Sequence, residues 1–381
     1  MDAPNSIHDL IETLMDLNKP FPARLLYQFS DLPSDGCKVL ASAWGAIPLQ
    51  RRRALLQDLL ELAEHDNLLM FEEVGRIALE DTDEDCLVSA IDLLMEAEDP
   101  KLVPVFLRLL TAQDLPESVR AAAANALGFY VYLGELEELK AEVHHKIEDA
   151  LLQAYAEDPS DLVKRRALES LGYSNRDEVP PLIRYAAAHA SEEWLESALF
   201  AMGRSANEQW ETQVLDHLNH SNPDVRGQAI HAAGELMLGA ARARLLKQLD
   251  RETDEYLRTE LIWALSHIGG EGIEEKFQQL LAKTDDDEEA SFLEEALEML
   301  QFTNEASDFE LMEVDFARER DLHDEDDEDS DFWDEDEDEE EDERGDFDDE
   351  EWLRYVDEDE EDNEGSLDES YNLDDFDEDE E

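Results

Sequence analysis

Hydrophobic residues recur along the middle of the chain in similar blocks, each with apolar residues at offsets 0, 4 and 8. This spacing puts them on one stripe of a helix. The first column reads Cys86, Val119, Val163, Trp194, Val225, Leu257 and Phe292, the second Ala90, Ala123, Ala167, Ala198, Ala229, Leu261 and Ala296, and the third Leu94, Leu127, Leu171, Met202, Ala233, Leu265 and Leu300. The small second column indicates that neighbouring helices approach closely.

A second amphipathic segment lies between successive blocks, for example at residues 102–110, 179–187, 210–218 and 273–281. Successive blocks start 33, 44, 31, 31, 32 and 35 residues apart. A unit near 31 residues accommodates two helices of about 11 to 12 residues and two short turns. The pattern therefore predicts an all-α solenoid of antiparallel helix pairs, and the 44-residue step predicts a longer helix or loop over residues 130–140.

Glycines close several of these blocks. Because glycine often ends a helix in the left-handed conformation, we expect this role for Gly128, Gly172, Gly203 and Gly234. Helical patterns over residues 7–17, 51–63 and 68–79 lack the closing glycine and predict a cap at residues 1–80, with Arg51–Arg53 on one basic face. The solenoid is predicted to span residues 81–304 and an acidic tail residues 305–381.

The blocks at 119–128, 163–172, 223–234 and 257–265 resemble HEAT repeats, in particular the short bacterial form known as the phycobilisome-lyase HEAT-like repeat. The resemblance implies a right-handed superhelix whose second helices line a concave surface. It also implies a ladder of charge pairs between repeats, interrupted at Leu195. Its members would be Glu117 with Arg120, Asp161 with Lys164, Asp224 with Arg226 and Glu255 with Arg258.

Charge separates the end of the chain from the rest. Of a net charge of −74, residues 321–381 carry −37, from 39 acidic and 2 basic residues. Such a segment repels itself and cannot bury a core, so we expect it to be disordered. Direct nucleic-acid binding is disfavoured, because phosphate contacts need a basic surface.

The cysteine content and the distribution of apolar residues indicate the compartment in which the protein works. Cys37 and Cys86 are the only cysteines, which excludes a disulfide framework and favours a reducing compartment. The start of the chain lacks the order of an export signal, and no apolar run approaches the roughly 18 residues of a membrane span. We expect a cytoplasmic, bacterial, monomeric protein that does not contact membranes.

Catalytic motifs are missing from the sequence. It contains no phosphate-binding loop, HExxH motif or GxSxG elbow. The HEAT-like deoxyhypusine hydroxylases hold iron with His-Glu pairs, but none of the ten histidines here precedes a glutamate. We therefore predict no enzyme activity, no metal and no cofactor.

The residue six positions into each second helix carries the strongest signal for a binding site. This column is usually polar in such repeats, yet three successive repeats place Phe200, His231 and Trp263 there. Large rings on a polar surface are typical of interface anchors. Burial in an ordinary core is the alternative, and the nearby Lys164, Arg165 and Arg166 could receive an anionic group or form a solvated face.

The acidic tail contains aromatic and apolar residues that could anchor it to a partner, namely Phe332, Trp333, Trp352, Leu353 and Tyr355. It could equally act as a solubilising brush, or fold back on the basic residues of the body.

The function favoured by these observations is a scaffold that binds a protein, with basic surfaces as targets of the tail. An accessory enzyme or cofactor-handling protein related to the lyase-like repeats, with a pocket around the three rings, is the first alternative. An acidic solubility or chaperone-like factor is the second.

Overall fold

The computed structural model describes residues 7–66 and 68–324, with side chains described through residue 305. Within these residues the secondary structure is helical, with no strand. The α-helices are α1 Ile7–Met15, α2 Ser34–Trp44, α3 Leu49–His65, α4 Glu72–Ala78, α5 Glu84–Asp92, α6 Leu102–Thr111, α7 Glu117–Glu135, α8 Ala141–Glu157, α9 Asp161–Leu171, α10 Val179–Ala187, α11 Glu192–Arg204, α12 Glu211–His217, α13 Pro223–Glu235, α14 Arg242–Leu249, α15 Glu255–Ile268, α16 Ile273–Leu281 and α17 Asp287–Asp324.

The helices are arranged as antiparallel pairs whose second members stack in a continuous row. In this row α5, α7, α9, α11, α13 and α15 each contact the next, while α6, α8, α10, α12 and α14 pack on their partners as a second layer. All three predicted columns are buried, except for the half-buried Phe292. The predicted α-solenoid is confirmed.

Two hydrophobic cores meet at α5. Cys86 and Ala90 of this helix face the N-terminal core, which extends back to Leu10. Leu87 and Ile91 face the solenoid core, which continues to Leu300. One helix thus joins both cores because its two apolar faces point in different directions.

The N-terminal region contains more helix than its sequence pattern predicts. Helix α2 was missed, because the Asp35-Gly36 pair resembles a turn, and so was a short 3-10 helix at Ala23–Phe29. The predicted helices at 7–17, 51–63 and 68–79 are α1, α3 and α4 with shifted ends.

Arg51, Arg52 and Arg53 of α3 are not a free basic face, as the sequence suggested. Arg51 donates to the carbonyl oxygens of Asp16 and Lys19. Arg52 pairs with the buried Asp81, and Arg53 pairs with Asp83 and Asp85. The three arginines hold the loops around α3 in place.

The glycine column has a different role from the one predicted. The left-handed glycines are Gly269, Gly270 and Gly272, so the four glycines of the repeats do not end helices in that conformation. They allow close approach instead: a Cβ on Gly172 would lie 2.9 Å from the Cα of Ala201, and one on Gly234 would lie 2.8 Å from the Cα of Ala264. At these points the row is packed backbone against backbone.

After two of these glycines a left-handed turn follows three residues later, on a residue with a side chain. Ala206 and Met237 have φ values of 45° and 48°, three residues after Gly203 and Gly234. The glycine therefore serves the helix contact, and the turn is formed without one.

The charge ladder joins residues other than those inferred from the resemblance. Arg120 makes two hydrogen bonds of 3.1 Å to Asp158, not to Glu117, and the two side chains are 6% and 2% exposed. Arg258 pairs with Glu289 at 2.6 Å rather than with Glu255. The cation reaches forward to the next repeat, because its long side chain spans the junction between neighbouring second helices.

The charge ladder contains no buried ion pair in the middle of the row, around α11 and α13. Arg226 donates to the carbonyl oxygen of His220 at 2.7 Å. At Leu195 the predicted interruption corresponds to a link without a cation, in which the amide of Asn222 donates to the Glu192 carboxylate at 2.9 Å. The α11–α13 junction thus lacks the buried ion pair found between α7 and the segment before α9.

Candidate ring-lined interaction surface

The three rings predicted from the sequence lie side by side on successive second helices. Phe200 of α11 and His231 of α13 stack with ring centroids 6.2 Å apart and planes within 5°. His231 and Trp263 of α15 stack at 4.3 Å and 8°, and Trp263 lies 4.1 Å from His267, one turn further along α15. We call these four residues the ring ladder.

The ring ladder is neither core nor fully exposed surface. Phe200, His231 and Trp263 are all half-buried. Because their planes are nearly parallel, the rings bury part of one another's surface and leave the remainder accessible. Stacked pairs of this kind contribute about 0.5–1.5 kcal/mol beyond the burial of their area, so the ladder also stabilises the row.

Two further groups continue the stack at the Phe200 end. The guanidinium of Arg204 lies 4.1 Å from the Phe200 ring and 4.6 Å from the Tyr173 ring. Tyr173 in turn contacts Tyr132 of α7 at 5.3 Å. Sequence analysis missed these residues and His267, although Arg204 and His267 stand four positions after Phe200 and Trp263, a spacing that places side chains on the same helix face.

His231 is the charged centre of the ladder. Its Nδ1 lies 3.0 Å from Glu260 and its Nε2 lies 3.5 Å from Glu235. Burial disfavours the charged ring, but the hydrogen bonds and charges of the two glutamates outweigh burial and raise the pKa of His231 to about 9. His231 is therefore an imidazolium at neutral pH, held between two aromatic rings as a cation–π contact.

Acidic side chains surround the ladder on the same helices. Burial, followed by the charge of Asp224, raises the pKa of Glu196. Burial and the charges of Glu260, Asp224 and Glu196 raise the pKa of Tyr256. Acidic side chains from the N-terminal parts of α11, α13 and α15 therefore lie near one another.

The basic cluster proposed from the sequence is mostly engaged within the molecule. Arg165 contacts the Glu193 carboxylate at 3.4 Å, and Arg166 pairs with the buried Glu169. Lys164 precedes them on α9 and is half-buried. Two of the three charges are therefore neutralised by neighbours, which weakens the suggestion that this cluster receives an anionic group.

A basic cleft that the sequence analysis missed is lined by residues of α13, α14 and α15. Its volume is about 420 Å³, and its lining includes Arg226, Arg244, Lys247, Arg251 and Glu252. Arg244, Lys247 and Arg251 recur at helical spacing along and just after α14, a pattern that could have been recognised.

The aromatic and apolar tail residues named above, Phe332, Trp333, Trp352, Leu353 and Tyr355, lie outside the described residues. None of the helices in the described residues is long and apolar enough to cross a membrane.

Paired helices with a continuous second-helix row define the class of this protein as an α-solenoid. A family model for HEAT repeats matches residues 179–266 and 211–301, the part of the chain that contains α10 to α16 and the ring ladder. A comparison with curated proteins gave no match.

Solved structures with similar chains include Escherichia coli YibA, at 17% identity over 74% of this chain and 98% of that one, with a TM-score of 0.38. Human deoxyhypusine hydroxylase in complex with glycerol is similar at 16% identity, 78% and 96% coverage and a TM-score of 0.32. Importin beta is similar at 13% identity, covering 78% of this chain and 46% of that one, with a TM-score of 0.38.

Proposed function

We propose that this protein is a non-catalytic scaffold that binds a basic protein partner through the surface formed by α11, α13 and α15. The observation that carries the proposal is the ring ladder, a row of half-buried rings across three repeats at a helix position otherwise filled by polar residues. Rigid rings contribute contact area to an interface at little cost in conformational entropy, which is why they are enriched among interface anchors.

The charges around the ladder select the kind of partner. Glu260 contacts His231, Glu196 lies one helical turn before Phe200 on α11, and the chain as a whole has a net charge of −74. A partner with lysine or arginine around an apolar anchor would match this surface. Charge complementarity of this kind mainly accelerates association and selects the partner.

We propose a long-range role for the acidic segment at residues 321–381. With a charge of −37 it would attract a basic partner before the rings make contact. Deleting it should slow association and reduce the dependence of binding on salt, while the rate of dissociation from the α11–α15 surface stays unchanged. Unchanged association and salt dependence would show that the segment does not steer the partner.

The stacking of the rings argues against a cofactor pocket at the same place. His231 and Trp263 are in contact at 4.3 Å, which leaves no gap for a planar group between them. Two clefts on the surface, one beside Arg244 and one beside Gln301, are lined by other residues. The ladder therefore favours a surface that contacts a partner with the accessible parts of its rings.

Affinity capture with ladder variants tests this proposal. The full chain, the Phe200→Leu/Trp263→Leu variant and a Tyr185→Ser control would be immobilised and exposed to the same protein mixture, with bound proteins quantified by mass spectrometry. Tyr185 is a matched control, because it is an aromatic residue, 69% exposed, on the first-helix layer. Thermal unfolding and circular dichroism would establish that all three are folded.

We expect the wild type and the Tyr185→Ser control to capture the same basic proteins equally well. The ladder variant should bind these proteins at least about tenfold more weakly, as for the loss of an interface anchor. Equal capture by a folded ladder variant would rule out the ring surface as the docking site.

A further inference from the structure

The insertion after Gly128 brings together three potential metal ligands that the proposed scaffold function does not use. Helix α7 has 19 residues, whereas α11 and α13 have 13 each. Its extra turns place Glu135, the last residue of α7, beside His144 and Glu148 of α8. His144 and Glu148 are four residues apart and therefore lie on one face of α8.

The distances from His144 to the two glutamates fit ligands that share one ion better than they fit direct hydrogen bonds between the side chains. His144 Nε2 lies 3.8 Å from Glu135 Oε1 and 3.7 Å from Glu148 Oε1, beyond hydrogen-bonding range. One donor atom from each of the three residues can be chosen so that all lie within 4.8 Å of one another. With metal–donor bonds of about 2.1 Å, two ligands of one ion lie at most about 4.2 Å apart, and the distances from His144 Nε2 to both carboxylates satisfy this limit.

Burial makes the cluster unusual. The Glu148 side chain is 2% exposed and that of His144 is 13% exposed. Within the part of the chain that the structure describes, His144 Nε2 is buried without a hydrogen-bond partner. A buried carboxylate beside an unsatisfied imidazole nitrogen is costly unless a positive charge lies between them.

The loop between α9 and α10 holds both carboxylates in position. Ser174 donates its hydroxyl to Glu148, and Asn175 donates its backbone N–H to Glu135 Oε1 at 2.8 Å and its amide to the other oxygen. Supporting hydrogen bonds of this kind are usual around metal ligands, because they fix the orientation of the donors.

We propose that Glu135, His144 and Glu148 bind a divalent transition-metal ion, with Zn²⁺ as the probe. One imidazole and two carboxylates suit Zn²⁺ better than Mg²⁺ or Ca²⁺, which take oxygen ligands. The bound ion fastens the extended end of α7 to α8 and to the loop between α9 and α10. This site is separate from the ring ladder and independent of the proposed scaffold function.

Zn²⁺ titration of the full chain by calorimetry, in excess Mg²⁺ to occupy weak carboxylate sites, tests the proposal. The wild type is compared with His144→Gln, and His145→Gln is the matched control, since His145 is the next residue on α8 and is exposed. We expect one tight Zn²⁺ site in the wild type and in His145→Gln. We expect its Kd to rise at least about 100-fold in His144→Gln, beyond the 10–100-fold lost with a supporting residue.

Thermal unfolding gives a second readout, because an ion that binds only the folded state raises the Tm. Zn²⁺ should raise the Tm of the wild type and of His145→Gln but not of His144→Gln or Glu148→Gln. If the isotherms and Tm shifts of His144→Gln and Glu148→Gln match those of the wild type, the ion binds elsewhere and the proposal is wrong.

Discussion

Helices α5, α7 and α9 carry polar residues at the same position at which α11, α13 and α15 carry rings. In the first half of the row these residues are Asp92, Asn125 and Glu169. Burial raises the pKa of Asp92 to about 6. Asn125 contacts the sulfur of Met95 at 3.0 Å, and Glu169 accepts a hydrogen bond of 2.6 Å from Ser197.

The contacts that join neighbouring repeats also differ between the two halves of the row. The α7–α9 junction is fastened by the buried Arg120–Asp158 ion pair. The α11–α13 and α13–α15 junctions are fastened by stacked rings, by the hydrogen bond from Asn222 to Glu192 and by the His231–Glu260 contact, and the more exposed Arg258–Glu289 pair follows them. The backbone scaffold is common to both halves, so the rings are not required to build a repeat. A helix position that tolerates either chemistry is available for function, and this is why we assign binding to the second half.

The largest expected effect concerns the first half. Asp158→Asn leaves Arg120 buried without its counter-charge, which should lower the free energy of unfolding by about 3–5 kcal/mol. Urea unfolding measures it. Asp250→Asn is the control, because Asp250 pairs with Lys276 but is 60% exposed, and its loss should be much smaller than that of Asp158→Asn. Equal losses in the two variants would contradict the assignment of the first half to a buried ion pair.

The second half should be sensitive to pH through His231. Its pKa is raised from 6.5 to about 9 in the folded state, so its contribution is fully present below pH 6.5 and is lost as the pH rises through 9. The free energy of unfolding should fall by about 3 kcal/mol across this window. Denaturant unfolding from pH 6 to 10 tests this, and His231→Gln should lack that part of the fall. The same pH dependence in both proteins would show that His231 is not held as an imidazolium.

The next largest loss of stability is expected where α13 and α15 pack closely in the second half. A Cβ on Gly234 would lie 2.6 Å from the Trp263 ring and 2.8 Å from the Cα of Ala264. Gly234→Ala should therefore destabilise the protein by about 1–3 kcal/mol through overpacking. Gly45→Ala is the matched control, since nothing lies within 4 Å of a Cβ there and φ is −64°, and it should change stability by less than about 0.5 kcal/mol. If thermal unfolding shows that Gly234→Ala has the stability of the wild type, α13 and α15 do not pack as closely as described.

The smallest loss of stability is expected at the Asn222–Glu192 link of the α11–α13 junction, which has no cation. Asn222→Asp keeps an oxygen to cap α13 but places a carboxylate beside the exposed Glu192. The loss should be below about 1 kcal/mol at low salt and should vanish near 1 M salt, because exposed charges are screened. A loss that persists at high salt would indicate a steric cause.

Much of the fold could be predicted because its determinants are local. Every position at the offsets 0, 4 and 8 except Phe292 is buried, and Phe200, His231 and Trp263 were recognisable as misplaced rings in one column. The partners of Arg120 and Arg258 could not be deduced, since Asp158 and Glu289 come from the next repeat and their selection depends on how far each helix is displaced from the last.

The role of the glycines was misjudged for a related reason. A glycine at the end of a helical pattern can mark a turn or a close contact, and only the position of Ala264 against Gly234 distinguishes the two. The Glu135, His144 and Glu148 cluster was also missed, because Glu135 reaches α8 only through the extra turns of α7, and the search for metal ligands was limited to adjacent His-Glu pairs.

Hydrogen–deuterium exchange of the full chain, alone and saturated with a captured basic partner, tests the central claim most directly. We predict that peptides from α11, α13 and α15 around Phe200, His231 and Trp263 become protected on binding, while those from α10, α12 and α14 do not. Protection confined to the first-helix layer, or to α5, α7 and α9, would contradict the assignment of binding to the ring ladder.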